Sequence, residues 1–168
     1  MATIRDVLAQ NLDDTRQWLL MLLADFSGED WSFVPGPGLA HATWLCGHLA
    51  ASQDTLVHVR VLGKGVLGAD FKAHFPIGVE VPSMTEHRYP PVAEIRAVMD
   101  DVHRQTLAAV RGIDEALLAQ PAFAADGKSP HPHYRDKLGV IQHAARHEAF
   151  HAGQLALLRR LRGKKFLR

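Results

Sequence analysis

The stretch Val140-Ile141-Gln142-His143-Ala144-Ala145-Arg146-His147-Glu148-Ala149-Phe150-His151-Ala152-Gly153-Gln154-Leu155-Ala156-Leu157-Leu158 sets the reading of the whole chain. Its apolar positions return at the helical period, which predicts one long helix from about Arg135 to Leu161. The core-facing stripe of that helix passes through Val140, Ala144, His147, His151, Gln154, Leu158 and Leu161. Two imidazoles four residues apart stand one above the other on a single helix face. Each can then give one ring nitrogen to an ion between them. The chain holds 11 His, so a chance pair is an alternative, and His is also an ordinary partly buried residue.

Three further amphipathic helices are expected. The first spans about Ile4 to Phe26, with Ile4, Leu8, Leu12, Thr15, Leu19, Leu22 and Phe26 on one face. Pro35-Gly36-Pro37-Gly38 breaks the chain after it. The second spans about Thr43 to Leu62, its stripe formed by Leu45, His48, Leu49, Ser52, Leu56 and Val59, and Gly63-Lys64-Gly65 ends it. A long connection from Val66 to Tyr89 holds two short β-like pieces at most, and its length marks it as a lid or site wall. Pro90-Pro91 opens the third helix, whose stripe runs from Val92 through Ile95, Met99, Val102, Thr106 and Ala109 to Ile113. A short helical piece follows from Asp114 to Ala119, then a loop from Phe123 to Tyr134. Four such helices with almost no strand signal predict an all-α four-helix bundle, read as a single domain over residues 1–168.

Placed on these stripes, the histidines stop looking random. His48, His147 and His151 all point into one interior, where unpaired imidazoles are costly. A divalent cation satisfies them, since neutral imidazole suits zinc, nickel and iron. Three protein ligands leave a coordination position open, the pattern of a catalytic site. Gly47 and Gly153 flank these ligands, and glycine inside a helix suggests close approach of a neighbour. His103, near the edge of the third stripe, is the alternative third ligand or a pocket residue. His143, one turn before His147, is placed to support a ligand by hydrogen bonding. His41 precedes the second helix and His58 points away from His48, whereas His74, His87, His131 and His133 read as solvated loop residues. Gln154, one turn past His151, is a polar contact for the site. Arg88 and Arg146 are read as exposed rather than as anchors for a substrate carboxylate.

His147-Glu148-x-x-His151 also matches the zinc-peptidase pattern. That class needs a downstream third ligand, and no Asp, Glu or His follows His151. It also needs a sheet edge to bind peptide, so the peptidase reading is set aside. Glu148 is then expected to be a surface carboxylate, or a partner for Arg146 or nearby bases.

Composition narrows the class. The chain has 168 residues, 47% hydrophobic and 22% charged, with a net charge of +1. No run approaches the ~20 apolar residues of a membrane span, and the start reads directly into an amphipathic helix rather than a signal peptide. Cys46 is the only cysteine, which excludes an internal disulfide and thiolate zinc sites. It stands about 200° round the helix from His48, so a buried structural thiol is expected. These features point to a cytoplasmic protein. Arg159, Arg160, Arg162, Lys164, Lys165 and Arg168 crowd the last ten positions. They read as a solvated helix end that complements the helix dipole, not as a nucleic-acid or membrane patch.

With these residues assembled, the chain resembles the DinB-like family of metal-dependent enzymes, the DinB/YfiT superfamily. The likeness rests on Trp44-Leu45-Cys46-Gly47-His48-Leu49 and on His143-x-x-x-His147-Glu148-x-x-His151-x-Gly153-Gln154, followed by Arg159-Arg160. It implies an up-down-down-up four-helix bundle, often a homodimer, with His48, His147 and His151 as ligands of a divalent metal. Relatives in this superfamily use low-molecular-weight thiols in isomerase and S-transferase reactions, and the family name carries no implication of DNA binding.

The expected function is therefore a thiol-dependent S-transferase acting on a small molecule, with the thiol as cosubstrate. A hydrolase on the same scaffold is the alternative. Two further readings are a metal-binding stress protein without turnover, and a metal-free helical interaction protein.

Overall fold

A computed structural model describes residues 2–167. Its long helices are α1 (Ile4–Leu23), α2 (Ala42–Gln53), α4 (Val92–Gly112) and α5 (Lys137–Leu161), with a five-residue α3 (Ala69–Ala73) between α2 and α4. Each start has a local cause. Thr3 and Asp6 exchange hydrogen bonds in a capping box on α1, and Asp136 Oδ1 accepts from Gly139 N at 2.8 Å to cap α5. At α2 the cap is His41, whose Nδ1 accepts from Trp44 N at 3.2 Å. Its Nε2 then donates to Pro82 O at 3.2 Å and ties the helix start to the long connection. Such caps satisfy amide groups that the first helical turn leaves open.

Helix α1 packs against α4 and α5, and α2 packs against the same two. Every residue of α2 is buried, because Ala42-Thr43-Trp44-Leu45-Cys46-Gly47 and its continuation offer no polar face. The expected single stripe on this helix is therefore too narrow a description. The helix also does not continue regularly to Leu62: it widens into a π-helical turn over Asp54–Val59. The long connection holds none of the short β-like pieces that its sequence allowed. Among the described residues there is no strand, only an isolated bridge between Phe123 and Pro130. The connection instead forms α3 and sends Phe75 into the core. A Cβ on Gly47 would lie 2.0 Å from the Phe75 ring, so Gly47 answers a close approach. Gly153 does not, with no atom within 4 Å of that position.

The apolar core forms two clusters. One gathers Leu19, Leu45, Leu49, Met99 and Leu155; the other gathers Leu12, Leu56, Val110, Val140 and Ile141. Between them lies a polar layer to which every long helix contributes. Arg16, 1% exposed, donates through Nε to Glu148 Oε1 at 2.5 Å, through Nη1 to Met99 O at 2.9 Å, and through Nη2 to Gln53 Oε1 at 3.2 Å. Gln53 Nε2 then donates to His103 Nδ1 at 3.1 Å, and His103 Nε2 donates to Asp13 at 3.3 Å. Each donor and acceptor has a defined partner, as a buried polar network requires.

Glu148 is thus a correction to the sequence reading. It is 3% exposed and paired with Arg16, not a surface carboxylate and not a partner of Arg146. The basic C-terminal run is corrected in part: Arg160 and Lys165 are exposed as expected, and Arg168 lies outside the described residues, but three of the cations are held by the fold. Arg159 is buried against Leu22 O and the Asp25 carboxylate, while Arg162 Nε and Lys164 Nζ reach Asp30 at 3.0 and 2.8 Å. These contacts hold the Asp30 carboxyl far below its ordinary range, Lys164 first, then the Ser27 amide, with Arg162 adding to them. Among the described residues, no helix is long and apolar enough to cross a membrane.

Candidate metal centre

Helices α2 and α5 bring His48, His147 and His151 together. Their ligand nitrogens lie within 4.8 Å of one another, so the group is able to hold a metal ion. His147 Nε2 stands 3.2 Å from His48 Nε2 and 3.2 Å from His151 Nε2. Two nitrogens bound tetrahedrally to zinc at ordinary bond lengths are about 3.3 Å apart, so the observed spacing fits such a set. The donors are also chemically suited. Burial, reinforced by the two neighbouring imidazoles, pushes His48 down to about 3. Burial and the adjacent His151 and His143 push His147 down to about 4. Burial lowers His151 as well, against the opposing influence of Gln154 and Glu148. At neutral pH the three rings are uncharged, the form that ligates metals.

Surrounding residues orient the rings. Gln154 Oε1 accepts from His151 Nδ1 at 2.7 Å, which leaves the Nε2 lone pair of His151 facing the other two. The Trp44 indole stacks on His48 with centroids 4.5 Å apart and planes 8° from parallel. Ser52 Oγ approaches His48 Nε2 at 3.3 Å. His48 Nδ1 is buried without a hydrogen-bond partner, so ring stacking, rather than a hydrogen bond at Nδ1, orients this ligand.

The expected contact from Gln154 is present as such a supporting hydrogen bond, and it makes a defined prediction. Gln154→Leu keeps the side-chain size and removes the acceptor for His151. Metal affinity is expected to fall about 10–100-fold, read by competition titration against a chromophoric chelator. An unchanged affinity would remove Gln154 from the site.

Other candidates lie elsewhere. His103 belongs to the polar layer and does not join the three histidines. His143 has its ring 6.0 Å from that of His147 and faces the same cleft without bonding to the ligands. His58 bonds Thr106 at 3.1 Å, and His74 and His87 bond each other at 2.9 Å. Arg88 is exposed, as is Arg146, which lines a separate groove with Leu8 and Asn11. Cys46 is a buried thiol pushed up to about 12 by burial, as the sequence suggested.

Beside the histidines opens a cleft of about 260 Å³. His147, His143 and Ser52 form its inner wall, Leu56 and Ile77 give it apolar surface, and Arg60 and Tyr134 complete it. Nothing in the sequence singles out Arg60, because regular α-helical spacing from His48 carries position 60 off the shared face.

Comparison with known proteins agrees with this geometry. No functionally curated protein gives a significant sequence match. A solved structure, described as a conserved protein of locus from Enterococcus faecalis, is similar with a TM-score of 0.62 at 18% identity. The match covers 96% of this chain and 98% of that one, and at this identity it speaks for the fold alone. The family model of the DinB superfamily matches residues 11–155, a span that includes all three histidines. The chain therefore belongs to the DinB superfamily.

Proposed function

We propose that this protein is a metal-dependent enzyme in which His48, His147 and His151 hold a divalent ion, zinc, nickel or iron. The reaction is S-transfer from a low-molecular-weight thiol to a small electrophile. The observation that carries this reading is the convergence of three neutral Nε2 atoms, with no fourth metal-ligating side chain among the described residues, beside an open cleft that His147 lines. An ion held this way supplies Lewis acidity that favours deprotonation of a thiol or a water.

The protein's own groups account for the rest. Gln154 and Trp44 hold the ligand rings in place, and Leu56 and Ile77 give the cleft apolar surface that excludes water from the reacting groups. Ser52, Thr55 and Tyr134 offer hydroxyls to a polar substrate. In the transfer, the thiol loses its proton, sulfur forms the new bond to carbon, and the leaving group departs with the bonding electron pair. Glu148 takes no part as a base, since its carboxylate is engaged by Arg16.

The same reading takes the long helices as an up-down-down-up bundle. One apolar cluster joins the C-terminal halves of α1 and α5 to the N-terminal halves of α2 and α4, which supports that order. It also takes the protein as a cytoplasmic homodimer, the compartment being one where thiols stay reduced. Phe150, Leu157 and Leu161, exposed by 67%, 53% and 53%, form an apolar stripe on α5 suited to a second copy. Internal pairing of Arg159, Arg162 and Lys164 argues against nucleic acid as the partner.

The test is turnover of 1-chloro-2,4-dinitrobenzene with a panel of low-molecular-weight thiols by the zinc-, nickel- and iron-loaded protein. Thiol-dependent product formation that is lost in His48→Ala is the expected result. Thiol-independent cleavage of nitrophenyl esters, also lost in His48→Ala, would replace the transferase reading with the hydrolase. Absence of both activities with metal bound would leave a non-catalytic metal-binding protein.

A further inference from the structure

Arg60 owes its position to the π-helical turn. An unbroken α-helix would carry it about 120° round the axis from His48. The turn over Asp54–Val59 accommodates one extra residue, which takes back about 100°. Arg60 thereby comes onto the face that bears His48 and Ser52, and it lines the cleft with Ser52, Thr55 and His147. Turns of this kind interrupt the regular hydrogen-bond ladder and occur frequently at functional sites.

The guanidinium is ordered but not neutralised. It lies over the Tyr134 ring, 5.1 Å from the centroid. Its Nε is buried with no hydrogen-bond partner. Among the described residues, no carboxylate forms an ion pair with it. By contrast, the buried Arg16 and Arg159 each hold a carboxylate, on Glu148 and Asp25. A half-buried donor left unmatched has a desolvation cost that a bound acceptor would relieve.

The missing acceptor has a defined chemistry. Among the described residues, Arg60 is the only Lys or Arg lining this cleft, so the protein itself supplies one positive charge there. A monoanionic carboxylate matches that guanidinium in charge, while the charge of an ion on the three histidines serves the thiolate. The carboxylate plane also fits the guanidinium fork in a two-point contact. We propose that Arg60 is the carboxylate anchor of this cleft, so that the small molecule taken beside the three histidines carries a carboxylate group. This rests on reading the cleft as the reaction site, and it adds a substrate class to that reading.

The experiment is a titration followed by ¹⁵N-edited NMR of the Arg60 Nε–H resonance, assigned by its loss in Arg60→Met. Butanoate and its uncharged isostere butanamide are compared on both zinc-loaded and chelator-treated protein. Butanoate is expected to shift the resonance saturably in both forms, and butanamide is not. Arg60→Met keeps much of the apolar stem. It is expected to weaken butanoate binding about 10–100-fold, read on the Tyr134 ring signals, with zinc content equal to wild type. Equal binding of butanoate and butanamide, or undiminished butanoate binding in Arg60→Met, would overturn the anchor. If wild type takes up no zinc, the metal reading fails separately, and the chelator-treated titration still decides the role of Arg60.

Discussion

His151→Ala is expected to lower divalent metal from about one equivalent per chain to a trace, measured by plasma mass spectrometry on untagged protein. The magnitude follows from the ligand count. Structural zinc sites with four ligands bind with ~10–16 kcal/mol, which is roughly 2.5–4 kcal/mol for each donor. Losing one donor of three therefore costs about 100- to 1000-fold in affinity. Removing His151 also removes the ring that Gln154 orients, while His48 and His147 remain 3.2 Å apart. His143→Ala is the matched control. It deletes an imidazole from the same helix, one turn before His147, without touching the three-nitrogen group, and should retain full metal. Equal metal in wild type and His151→Ala would mean that the ion rides on the His-rich surface, and the proposed site would be withdrawn.

Arg16→Met should destabilise the protein by about 3–5 kcal/mol, because it leaves the Glu148 carboxylate buried without its cation. For a chain of this length the corresponding fall in Tm is of order 10 °C, read by calorimetry or circular dichroism. Gln53 and Met99 O lose their donors in the same step, which pushes the value toward the upper end. The double variant Arg16→Met with Glu148→Leu removes both charges. It is expected to recover most of the loss, since a well-packed apolar replacement of a buried pair is often near neutral. A single-variant loss below about 1 kcal/mol would mean that water or relaxation reaches Glu148, contrary to its burial. Glu148 lies between His147 and His151 on α5, so the ion pair also pins the helix segment that presents both ligands.

The candidate centre was legible for a simple reason. A helix fixes which residues share its own face, and a period of 3.6 can be read from one sequence. His147 and His151 declare themselves by their spacing, and His48 by its place among Leu45, Leu49 and Ser52. The starts of α1, α4 and α5 fall within two residues of those expected, because Thr3, Pro91 and Asp136 act locally on the first helical turn, whereas α1 ends at Leu23 rather than Phe26. The reading failed where a local rule met a distant partner. Glu148 looked like surface because a carboxylate without a visible partner is ordinarily solvated, although Ile141, Ala144, Ala152 and Leu155 share its buried face; its partner Arg16 lies 132 residues away. Arg159, Arg162 and Lys164 looked solvated for the same reason, yet they meet Asp25 and Asp30 from the segment after α1. Helix α2 offered no polar face from which to read an orientation, and its π turn leaves no mark in hydrophobic periodicity.

Sequence periodicity alone was enough to establish a helical chain and to put three imidazoles on inward faces, because both depend on the repeat within one helix. Tertiary packing decided how far apart their nitrogens stand, which carboxylate each arginine meets, and that Arg60 turns toward the histidines. Those properties depend on the phase of one helix relative to another and on a single extra residue in a turn, which only the packed chain defines.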